Sequence, residues 1–228
     1  MSSYSDFQNS SINKIFRYIY TITFGGIYFV LYNFLLVGAL YILKIDLRNI
    51  VAFYIALIPV GPALAALITV INNLNKEKDI NITKDFFKGY VKNFKASIKM
   101  WTILLTLGTI LVFDLVICFK NSKFPLLVIP MIIMLVFVLV ILVNSFPILC
   151  RYEINTINNI KLSISLILKK PSITITNLAI LIIWLNLLNL NNFIIKLLIS
   201  GIAVLAMIKV YERNYLIIDN NYLNNNQN

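Results

Sequence analysis

The amino-acid sequence predicts an all-α, polytopic membrane protein with about six transmembrane helices and both termini in the cytoplasm. Three observations predict it. The 228 residues are 60% hydrophobic with a mean hydropathy of +0.85, against about 45–50% apolar residues in ordinary soluble domains. The apolar residues come in blocks, and a helix rising 1.5 Å per residue needs about 20 of them to cross ~30 Å of hydrocarbon. Finally, the 20 Lys and Arg residues divide 15 to 5 between alternate sides of those blocks, the positive-inside pattern of membrane proteins.

The spans fall at about 21–43, 50–71, 98–119, 125–149, 172–190 and 193–210, and residues 1–228 form a single integral membrane domain. Residues 1–13 are polar, and the apolar block that follows is longer than the apolar core of a secretory signal, so it reads as a first span. Spans five and six are separated by Asn189–Asn192, and asparagine favours tight turns, giving a helical hairpin. Cys118, at the outer end of span three, and Cys150, at the inner end of span four, are expected on opposite faces of the membrane, beyond disulfide reach.

Between spans two and three, Ile82–Lys99 predicts an amphipathic helix lying in the membrane interface. Ile82, Phe86, Tyr90, Phe94 and Ile98 recur every fourth residue, with Phe87 and Val91 beside them. Lys84, Lys88 and Lys92 form a second row, continued by Lys95 and Lys99. Residues four apart share a helix face, so aromatics would enter the headgroup boundary while lysines meet the anionic inner leaflet. The same face is a candidate for docking a cytoplasmic partner. Thr83 is the expected N-cap, with Asp85 in the first turn where the helix dipole favours a carboxylate.

Span two contains Ile58-Pro-Val-Gly-Pro62. Pro59 and Pro62 remove backbone donors, and with Gly61 they predict a helix break. Two readings stand: a packing kink, or a substrate or gating site of the kind transporters build from broken helices. Asp114 and Asn144 are the candidate intramembrane polar contacts, Asp114 facing a potential partner in Lys196. Asn33, Ser145, Asn177 and Asn186 are expected to hydrogen-bond between helices.

A repeat is visible as well. Asn93-Phe-Lys-Ala-Ser-Ile98 matches Asn159-Ile-Lys-Leu-Ser-Ile164, each ahead of an apolar block, and Ser10–Tyr20 occupies the corresponding place before span one. Internal repeats of this kind occur in many transporters.

The absence of histidine removes imidazole metal sites and triads. Two cysteines are too few for a thiolate metal site, and no phosphate-cradling glycine motif is present. The sequence therefore predicts no catalytic residue, no metal and no cofactor: a protein that is not an enzyme. The net charge of +11 lies beside membrane spans, predicting lipid contacts and no nucleic-acid binding.

Gly61-Pro-Ala-Leu-Ala-Ala-Leu67, followed by a short polar loop and Asp85-Phe-Phe-Lys-Gly-Tyr-Val-Lys-Asn-Phe-Lys95, resembles the YesL family of bacterial membrane proteins. The resemblance covers the first three spans. It departs at Pro59, where the family commonly has Thr, and at Phe87, where Trp is common. It implies a multi-pass protein of the bacterial cell membrane and an accessory role in carbohydrate uptake beside a permease. Two alternatives stand beside that reading: an envelope-maintenance or protective protein, and a small self-sufficient transporter.

Overall fold

Apolar segments in hydrocarbon must satisfy their own backbone hydrogen bonds, and α-helices do so within one segment. The computed structural model describes residues 11–75, 81–120, 125–152, 154–187 and 193–212, and among them every regular element is helical. In chain order these are α1 (Ser11–Tyr32), α2 (Phe34–Ile42), a 3-10 turn (Leu47–Asn49), α3 (Ile50–Leu57), α4 (Val60–Asn75), α5 (Ile82–Lys120), α6 (Pro125–Arg151), α7 (Thr156–Lys169), α8 (Pro171–Leu187) and α9 (Phe193–Glu212). Ile15–Tyr32, Ile82–Phe119 and Leu126–Arg151 are each long and apolar enough to cross a membrane, and counting each bent pair, α3–α4 and α7–α8, as one span gives up to five. The turn expected at Asn189–Asn192 lies outside the described residues.

The expected break in span two is present. The chain leaves helical geometry at Ile58–Pro59 and resumes with a 42° bend. Pro59 thus precedes α4 and Pro62 lies in its first turn, where no intrahelical donor is needed. Pro171 acts similarly but more sharply: it opens α8 at 103° to α7.

The interfacial helix takes a different form. Ile82–Lys99 is the first half of α5, one helix of 39 residues, about 58 Å long at 1.5 Å per residue and nearly twice the hydrocarbon thickness. Nothing between Ser97 and Thr102 (Ile-Lys-Met-Trp) breaks a helix, so the amphipathic half runs straight into the apolar half. Its cap also differs. The Asn81 side-chain oxygen accepts from the Lys84 amide at 3.2 Å, while the Thr83 hydroxyl pairs with Tyr28 at 2.7 Å.

Protein covers the start of the aromatic stripe. Phe86 is 0% exposed and Ile82 is buried. Phe86 packs between Tyr28 and Tyr32, at 5.7 and 5.2 Å between ring centres, and Tyr32 also meets Tyr90 at 4.6 Å. An apolar face satisfies its hydrophobic requirement against either medium, and here α1 and α4 lie close enough to take it. Along the C-terminal half of α5 and the N-terminal half of α6, by contrast, large apolar side chains such as Ile110, Phe113, Ile133 and Phe137 are exposed. Exposed apolar surface of this extent is consistent with helices that cross a membrane.

The repeated hexapeptides adopt the same arrangement. Asn93 and Asn159 are buried, and Ser97 and Ser163 donate to their backbone carbonyls at 2.7 and 2.9 Å. Each asparagine amide then donates into the preceding helix of its hairpin: Asn93 to the Thr69 hydroxyl at 3.1 Å, Asn159 to the Ser145 carbonyl at 3.2 Å. The α4–α5 pair and the α6–α7 pair are thus locally equivalent, although α5 continues straight where Pro171 turns the chain.

Candidate functional site

Two features stand out: an apolar cavity inside the bundle and a basic face outside it. The cavity, of about 310 Å³, lies where α1, α4, α5, α6, α8 and α9 converge. Val60 and Leu64 supply the α4 wall, Trp101 the α5 wall, Val143 and Phe146 the α6 wall, and Trp184 the α8 wall. The chain's two tryptophans both line it.

The helix break borders this space. Its exposed carbonyl does not stay open, because Trp101 Nε1 donates to Leu57 O at 2.8 Å. Gly61 lets α4 approach so closely that a Cβ there would stand 2.5 Å from Trp101 Cβ. Pro59, Gly61 and Pro62 therefore seat Trp101 at the cavity edge, and the freed backbone is satisfied within the protein, as hydrocarbon requires.

Behind the α6 wall lies a buried polar cluster. Asn144 donates to the Thr174 hydroxyl at 3.1 Å and accepts from Tyr211, joining α6, α8 and α9. Ser145 pairs with Ser163 at 2.9 Å. These are the interhelical bonds expected of polar residues in spans. Asn33 and Asn186 instead donate to carbonyls of their own chain segment, Phe29 and Ile182. Asn177 is fully buried, and its amide has no partner among the described residues. Tyr211, at the end of α9, was not predicted by sequence reasoning; a tyrosine closing an apolar helix was the available signal. Asn144→Leu is expected to cost about 1–3 kcal/mol for each buried group it strands. Thermal unfolding in detergent measures this, and adding Tyr211→Phe should recover part of the loss.

Asp114 joins neither feature. It is half-buried, about 20 Å further along α5 than Trp101 at 1.5 Å per residue. The expected contact with Lys196 lies outside the described side chains.

On the outer surface of α5, Lys84, Lys88, Lys92, Lys95 and Lys99 are all exposed. Phe87, Val91 and Phe94 are exposed among them. The opposite face is held by α4, where Gly89 packs on Thr69, and by the tyrosines of α1. The predicted docking residues therefore divide: Phe86 belongs to the core, Tyr90 is partly buried, and Phe87, Phe94 and the lysines face outward.

The family described as "Protein of unknown function, DUF624" matches residues 27–115. The match covers less than half of the chain, from the second half of α1 into the apolar half of α5. The matched segment contains the helix break, Trp101 and the whole basic face, while α6 to α9 lie beyond it. No curated protein and no solved structure matches the chain.

Proposed function

We propose that this is a non-enzymatic, six-span protein of the bacterial cell membrane, with both termini cytoplasmic, that docks through the exposed basic face of α5 onto an acidic surface of a permease in a carbohydrate uptake system. The observation that carries the reading is the outward face of Lys84–Lys99, with Phe87, Val91 and Phe94 exposed among its lysines and its opposite side already packed in the fold. Apolar side chains ringed by charge make such a face suited to a protein partner. The 15 to 5 split of basic residues supports its cytoplasmic orientation, and the DUF624 match is consistent with the YesL resemblance, which supplies the link to carbohydrate uptake. The cavity supports assistance rather than passage of sugar through this bundle: sugar sites need placed polar groups, and the cavity lining is apolar.

The test is purification from the native host in mild detergent or native nanodiscs. A polytopic permease subunit is expected at stoichiometric yield, and Lys84→Gln, Lys88→Gln and Lys95→Gln together should release it. Each exposed substitution should alter stability by no more than about 0.5 kcal/mol, so the melting temperature should stay near wild type. A protein that emerges alone, or a triple variant that keeps its partner, rejects the docking role. A variant that keeps its partner and loses only binding to vesicles of anionic lipid assigns the face to the membrane surface.

A further inference from the structure

We infer that the central cavity is a binding site for one alkyl chain of a membrane lipid. Its walls are side chains of Leu64, Trp101, Val143, Phe146, Trp184 and Met207, with almost no polar atom available to a ligand. That chemistry rejects sugars, ions and headgroups, whose desolvation would go uncompensated, and accepts a hydrocarbon chain. At about 310 Å³ the space is near the lower end of ligand pockets, roughly 300–1,000 Å³, so it suits one chain.

Its position adds a second, independent argument. The α4–α5 hairpin and the α6–α7–α8 segment carry the same Asn-x-Lys-x-Ser-Ile element, in which the serine donates to the asparagine carbonyl and the asparagine amide donates to the preceding helix, to the Thr69 hydroxyl in one and the Ser145 carbonyl in the other. The cavity lies between these two units, with α1 and α9 completing it. Interfaces between structural repeats are where membrane proteins commonly place ligand sites. The neighbouring belt of exposed apolar side chains on α5 and α6 puts the lipid source beside the bundle.

The two tryptophans make the site directly readable. Trp101 is only 8% exposed and is shielded from bulk lipid, so a chain-borne quencher reaches it through the cavity. The full chain carrying Trp184→Phe would be reconstituted into phosphatidylcholine vesicles with brominated acyl chains, and in parallel into unbrominated ones. Trp101 is expected to lose most of its fluorescence in the brominated vesicles. Ala203→Phe, which fills the cavity from α9, should restore it. Val143→Phe fills the cavity from α6 and serves if the first variant fails to fold. Unquenched Trp101 in the Trp184→Phe protein overturns the proposal without recourse to either filled variant. Equal quenching in a folded, filled variant overturns it too, as does a change in Trp101 emission on adding a neutral disaccharide.

Discussion

Phe86→Ala is expected to destabilise the folded protein by about 3–5 kcal/mol, the usual range for truncating a buried aromatic side chain, whereas Phe87→Ala next to it should change stability by no more than about 0.5 kcal/mol. The two residues have the same chemistry and nearly the same place in the sequence. They differ in what covers them: Phe86 is 0% exposed, between Tyr28 and Tyr32, and Phe87 is 59% exposed. Removing the Phe86 ring opens a void walled by α1 and α4 and removes two aromatic contacts, each contributing about 0.5–1.5 kcal/mol beyond burial. Thermal or denaturant unfolding in one detergent, with both variants side by side, measures the difference. Equal losses would mean that both rings face the same medium, and the α1–α5 packing would be refuted.

Gly61→Val should be comparably damaging for another reason. A Cβ at this position would stand 2.5 Å from Trp101 Cβ, so α4 and α5 must separate or the indole must move. Overpacking of this kind costs about 1–3 kcal/mol. Moving the indole also breaks its 2.8 Å bond to Leu57 O and strands that carbonyl, for about 1–3 kcal/mol more. The expected total is about 2–6 kcal/mol, accompanied by a shift in tryptophan emission. Gly108→Ala is the contrasting change. Nothing lies within 4 Å of a Cβ there, and alanine should stabilise the helix by up to about 1 kcal/mol.

Helical membrane architecture was legible because the bilayer sets the length of an apolar block. The break at Pro59 was equally open to reading, since proline's missing donor acts locally, whereas the sharper 103° turn at Pro171 was not anticipated. The outer half of α5 was legible as a helix but not in its direction. A basic, aromatic segment entering an apolar one resembles an elbow, and only the lack of any breaker across Ile98–Trp101 argues for a straight rod. The burial of Phe86 could not be read at all, because a protein neighbour and a lipid tail ask for the same side chain. The cavity depends on residues from Gly26 to Ile208, brought together by packing that no local pattern encodes. Its one sequence trace was the rarity of tryptophan.

The continuity of α5 also has a mechanical meaning. A flat surface helix joined by a hinge would absorb changes in bilayer thickness or tilt at the hinge. This helix contains no proline, and its Gly89 is wedged against Thr69, so its basic and apolar halves, of similar length, form one rod without a hinge. The angle between the lysine face and the apolar half is therefore set by the fold, because Phe86 and Gly89 hold the basic half against α1 and α4.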